Sequence, residues 1–131
     1  FAPANCSGVI AVAATNRAGI RASYSNFGTG VHLAAPGGQG STPSNAILST
    51  LNNGTTTYNA SGFNHVAYQG TSMAAPHVSG LVALMLSRDA SLAPSTIKDR
   101  LERTAQDTVL TGRDIYSGAG RIDAVRALAG R

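Results

Sequence analysis

Gly70-Thr71-Ser72-Met73-Ala74-Ala75-Pro76-His77-Val78 is the stretch of this chain whose residue types and spacing point most clearly to chemistry. A small turn delivers one serine to the mouth of an apolar helix expected over Val78 to Leu86. At a helix mouth the first backbone N–H groups have no intrahelical partner, and the dipole presents its positive end. A hydroxyl there can attack a carbonyl, and the oxyanion that forms finds donors waiting. Gly70 and Ala74 leave room for that carbonyl, while Thr71 shares the turn. The same position suits a helix cap, so the pattern alone leaves Ser72 as nucleophile or as cap.

A serine hydroxyl stays a poor nucleophile until a base takes its proton, and the base needs an orienting partner. His77 follows Ser72 by five residues, about 140° round a helix, and cannot face the hydroxyl. It reads as a buried, hydrogen-bonded structural histidine. His65, in a ribbon ahead of the serine, and His32, in a strand before Pro36, read as scaffold. Asp89, Asp99, Asp107, Asp114 and Asp123 fall in turns and on helical surfaces, where solvated charge is the default. The machinery to activate Ser72 is therefore incomplete within this sequence.

The elements that must position the serine are short. Val9 to Thr15, β-branched at its start and bounded by Gly8 and Asn16, reads as a strand buried on both faces, as in parallel sheets. Val31 to Ala35 reads as a second strand, stopped by Pro36-Gly37-Gly38. Residues 37–46 are loop. From Ile47 to Gln69 we expect a β-ribbon: Ile47 to Leu51 turning at Asn52-Asn53-Gly54, with Thr55 to Asn59 and His65 to Tyr68 as further strands. The helix after it is apolar all round, which marks burial, with Pro76 in its first turn. Pro94 opens another helix, with Ile97, Leu101 and Ala105 on one face. Asp123 is a fair N-cap for a last one carrying Val125 and Leu128. This is the back half of an α/β layer structure.

At 131 residues the chain is long enough for one domain with a core. Charged residues are 12% of it, well under the usual quarter or so. Its net charge of +4 comes from arginines spread over the last third and interleaved with acids, a solvated surface rather than a nucleic-acid groove. No apolar run is long enough to span a membrane, and no signal peptide opens the sequence. Phe1 rather than Met comes first, so we expect a processed product or one piece of a longer polypeptide. Cys6 is alone, either a buried thiol or the partner of a cysteine on another segment.

Gly70 to Gly80 resembles the serine segment of the subtilisin-like (subtilase) proteases, a long and specific motif. Val9 to Ala14, Ala22-Ser23-Tyr24-Ser25-Asn26-Phe27-Gly28 and Ala35-Pro36-Gly37 follow in the family's order, and Gly118 to Ala124 resembles its C-terminal signature. The match runs over nearly all 131 residues but only the C-terminal part of a catalytic domain. It implies an α/β, parallel-sheet three-layer fold with a β-ribbon before the nucleophile helix. It also implies that Ser72 is the catalytic nucleophile, with its own backbone N–H as one oxyanion donor in a cleft shared with Gly70 and Thr71. The catalytic Asp and His, and the Asn that gives the second donor, precede this region in the family and have no match here. Gly-x-Ser-x-Ala is also similar to the elbow of α/β-hydrolases, but those need Asp and then His downstream, and no histidine follows His77.

The expected function is thus a secreted serine endopeptidase acting on polypeptide substrates through an acyl-enzyme, with a missing N-terminal segment of the same domain as obligate partner. Secretion rests on the resemblance and on unpaired Cys6. The alternatives are a non-catalytic structural or interaction fragment that keeps the fold remnant, and peptide ligation on the same serine. Calcium is a cofactor of many subtilases, but no run of acids here has loop-site spacing. Residues 37–46 and the long ribbon depart from compact family members and could shape the leaving-group side of the cleft.

Overall fold

The computed structural model describes residues 2–108 and 110–130. Two short strands, β1 (Val12–Thr15) and β2 (Leu33–Pro36), pair in parallel with Val12 opposite Leu33 and Thr15 opposite Pro36. The chain adds a third line to this sheet, because Ala34 N–H donates to Gly120 O and Ile122 N–H to Ala34 O. Ala14, Leu33 and Ala35 face the main core, and Ala13 and Ala34 are buried although they belong to no part of it. The continuous apolar runs therefore do mark strands buried on both sides. β1 begins three residues later than Val9 because Ala11 N–H leaves the ladder and donates to His32 Nδ1 at 2.8 Å.

The helix α1 (Thr71–Arg88) lies across both strands, with Ala74, Val78, Leu81 and Met85 buried along one face. It starts seven residues before the expected Val78. Met73 and Ala74 N–H groups both reach Gly70 O, so the first turn closes at the motif itself. Pro76 consequently sits in the second turn rather than the first. Its missing N–H removes the bond that Ser72 O would otherwise receive. The core supplied by this face is closed by Ile97 and Leu101 of α2 (Pro94–Thr104) and Ala127 of α3 (Ala124–Ala129). Asp123 caps α3 as expected, accepting Arg126 N–H at 2.9 Å, while Val125 on that helix is exposed.

Only one face of α1 is covered. Leu84 is 52% exposed, and Pro76, His77, Gly80 and Leu84 border an open groove of about 510 Å³ shared with Pro36 and Ile122. A helix apolar all round needs neighbours all round. His77 is therefore exposed rather than buried, although it is hydrogen-bonded: its Nδ1 donates to Met73 O at 2.8 Å. Cys6 is likewise exposed, against the buried-thiol reading.

The ribbon is a single hairpin, β3 (Ile47–Asn52) antiparallel to β4 (Phe63–Tyr68), with Thr50 opposite His65. Thr55 to Asn59 is not a strand. Asn52 Oδ1 accepts the N–H groups of Gly54 and Asn59, and Asn52 Nδ2 donates to Asn59 O. Asn59 Nδ2 in turn donates to Asn53 Oδ1. Side-chain amides thus satisfy the backbone that a third strand would have paired, and Asn-Gly opens a ten-residue loop instead of a tight turn.

Candidate active site

Ser72 stands in the first turn of α1, exposed, and its Oγ makes no hydrogen bond with any described residue. The N-cap is Gly70, with no side-chain cap, so the serine does not serve as one. Its backbone N–H lies too early in the helix for an intrahelical acceptor, and none is supplied by another described group. A free hydroxyl and a free N–H are therefore adjacent at the positive end of an 18-residue helix. In front of them an open cleft of about 310 Å³ is bordered by Ile47, Leu48 and Ser49 of β3 and by Ser72, Met73, Pro76 and His77 of α1.

Gly70 is the N-cap and Thr71 the first residue of α1, and neither borders this cleft. Gly70 N–H donates to Gly37 O at 3.0 Å, which ties the turn before Ser72 to the residue that follows β2. A side chain at residue 37 would not fit. Its Cβ would lie 2.5 Å from Ala14 Cβ and 2.8 Å from both Gly70 O and Tyr24 Oη. The β3 residues that wall the cleft carry no signal in the sequence beyond preceding the motif. The loop 37–46 does not border Ser72 and reaches it indirectly, Gly40 N–H donating to Gln69 Oε1 at 2.6 Å.

Most of the remaining histidines and aspartates have partners other than Ser72. His77 lies on the same helix as Ser72 but spends its Nδ1 proton on Met73 O. His65 is exposed on β4. His32 accepts from Ala11 N–H, which requires an unprotonated Nδ1. Burial first, then nearby Lys98 and Arg113 against the opposing pull of Glu102, hold its pKa below the ordinary histidine value. Asp89 accepts Ser91 Oγ–H and N–H, which lower its pKa, and Asp99 pairs with Arg103 at 2.8 Å. Burial would raise the Asp114 pKa, but N–H groups of Ser117 and Tyr116 more than offset it. Asp107 accepts Gly112 N–H at 2.6 Å. None of these carboxylates or imidazoles hydrogen-bonds Ser72. Among the described residues no group of three or more His, Cys, Asp or Glu could hold a metal ion.

The model of the subtilase family matches residues 1–120. The chain belongs to the subtilase family. Relatives include an extracellular protease of Xanthomonas campestris pv. campestris, 51% identical over 105 residues, or 79% of this chain and 17% of that protein. Subtilisin of Bacillus pumilus is 40% identical over 121 residues, 92% of this chain and 37% of the relative. A solved protease of Pseudoalteromonas arctica PAMC 21717 superposes with a TM-score of 0.86 at 39% identity, covering 98% of this chain and 37% of that one. The subtilase chain thus spans less than two fifths of each of these relatives. Its α/β arrangement of parallel strands, antiparallel ribbon and helices is the subtilisin-like one. No helix among the described residues is long and apolar enough to cross a membrane.

Proposed function

We propose that this chain is the nucleophile-bearing, C-terminal part of the catalytic domain of a secreted serine endopeptidase. The observation that carries the reading is the unengaged Ser72 hydroxyl beside its unengaged backbone N–H, at an open cleft on a helix mouth. Ser72 Oγ attacks the carbonyl carbon of a peptide bond, and its proton passes to an imidazole on polypeptide outside these 131 residues. The oxyanion takes the Ser72 N–H as one donor, and the amine leaves with the proton. Water then hydrolyses the ester and frees Ser72. Gly70 and Thr71 directly precede Ser72, and the reading assigns them to the substrate side of this turn.

The proton acceptor is assigned to another segment because none of the three histidines hydrogen-bonds Ser72 Oγ. The uncovered face of α1 supports the same partner: Leu84, Gly80 and Pro76 offer an apolar surface to an N-terminal segment of the same domain. Secretion is supported by the printed names of relatives, an extracellular protease and an extracellular basic protease. The isolated 131-residue chain is expected to be inactive and not to unfold cooperatively as a monomer. The test compares peptide hydrolysis by the complete polypeptide and its Ser72→Ala variant. The proposal expects a loss of about 10⁴-fold or more in kcat. A Ser72→Ala protein that still cleaves at the native rate refutes it and leaves the non-catalytic fragment as the better reading.

A further inference from the structure

Gly70 has no side chain with which to fix the first turn of α1, so the aim of Ser72 depends on what holds the Gly70 backbone. That holder is the Gly37 carbonyl, which accepts Gly70 N–H at 3.0 Å. Gly37 and Gly38 are two consecutive glycines, both buried, and a diglycine unit rotates freely unless its peptide groups are tied. On the amide side both N–H groups donate to Thr15 O, at 2.9 and 3.1 Å. On the carbonyl side the Tyr24 hydroxyl stands 2.9 Å from Gly37 O and 2.6 Å from Gly38 O, sharing its single proton between them.

Tyr24 is itself well anchored. Its neighbour Ser23 donates its N–H to Gln39 Oε1, and Ser25 Oγ receives Ala14 N–H at 2.9 Å. The ring packs against the main core, and burial raises the hydroxyl pKa, with the Gly70 amide drawing it part-way back. The protonated phenol donates to the two carbonyls. We propose that Tyr24 is a positioning residue for the nucleophile: its hydroxyl clamps Gly37-Gly38, whose carbonyl fixes Gly70 and so aims Ser72. The proposal rests on Ser72 being the nucleophile.

Tyr24→Phe keeps the ring and removes only the clamp. In the complete protease, with active sites counted by a serine-reactive organophosphate, kcat per titrated site falls about three- to tenfold while KM stays within about twofold. Amide hydrogen exchange at Gly70 speeds up in parallel. A residue that merely supports the fold would lower the titrated fraction or the melting temperature and leave kcat per titrated site unchanged. Unchanged kcat per site therefore overturns the clamp, as does a Tyr24→Phe protein that fails to fold, since the hydroxyl would then serve stability. Absence of titration in the native-sequence enzyme is a different result: it refutes the nucleophile assignment itself.

Discussion

Replacing Gly37 with alanine tests how tightly the nucleophile turn is held. The added Cβ would meet Ala14 Cβ at 2.5 Å and the Gly70 and Tyr24 oxygens at 2.8 Å, well inside ordinary van der Waals contact. Ala14 belongs to the core and Gly70 O is engaged by the Met73 and Ala74 N–H groups, so neither of these two can yield without moving a strand or a helix start. Overpacking a core position costs about 1–3 kcal/mol. Stretching the Gly70–Gly37 hydrogen bond adds about 1 kcal/mol, for a total of about 2–4 kcal/mol in the complete domain. The catalytic cost follows from the displacement: a shift of about 1 Å at a reacting group can lower the rate about 100-fold. Urea denaturation gives the first quantity and kcat the second. Gly30→Ala is the control, because a Cβ there meets nothing within 4 Å and it stays within about 0.5 kcal/mol of the native protein. A Gly37→Ala protein as stable and active as that control would mean that residue 37 does not hold the turn before Ser72.

Further outcomes follow from the same contacts. His32 has a lowered folded pKa, so the unfolded chain binds the proton more readily; stability is complete above the unfolded value near pH 6.5 and declines as pH falls from there toward the folded pKa. Urea midpoints between pH 7.5 and 5 check this, and His32→Asn should flatten the decline. Leu101, 1% exposed between α2 and the core, should cost about 2–5 kcal/mol when replaced by alanine. Its replacement by methionine should cost less than about 1.5 kcal/mol, measured in the same denaturation series. Deleting residues 38–45 should alter the peptide preference of the complete enzyme on the leaving-group side, through the lost Gly40–Gln69 bond. Identical cleavage profiles would discard that role.

The parallel pair, the helices after the motif and the cap at Asp123 were legible because each leaves a local mark: a β-branched apolar run, a four-residue apolar spacing, an acceptor before a helix. The start of α1 was not. Its first turn is made of Thr71, Ser72 and Met73, residues that also suit a loop, and Pro76 draws the boundary toward itself although the backbone closes earlier on Gly70 O. The Asn52–Asn59 loop is hidden from the sequence for a related reason, since side-chain amides replace the ladder bonds that an Asn-Gly turn leads one to expect. At the site, the sequence marked Ser72 and its turn but not the Tyr24–Gly37 tie or the β3 wall. Those depend on contacts between segments 13 or more residues apart, which no local pattern encodes. His77 was expected to be buried because α1 is apolar all round. It is exposed because no described residue covers that face of α1.

Acyl transfer requires that the Ser72 oxygen itself form the covalent bond. The most direct measurement treats the complete polypeptide with a radiolabelled organophosphate, digests it, and sequences the modified peptide by mass spectrometry. One stoichiometric adduct on Ser72, lost when the protein is first unfolded in urea, is the predicted result. A folded protein whose Ser72 peptide stays unmodified, or whose adduct sits on another residue, would contradict it.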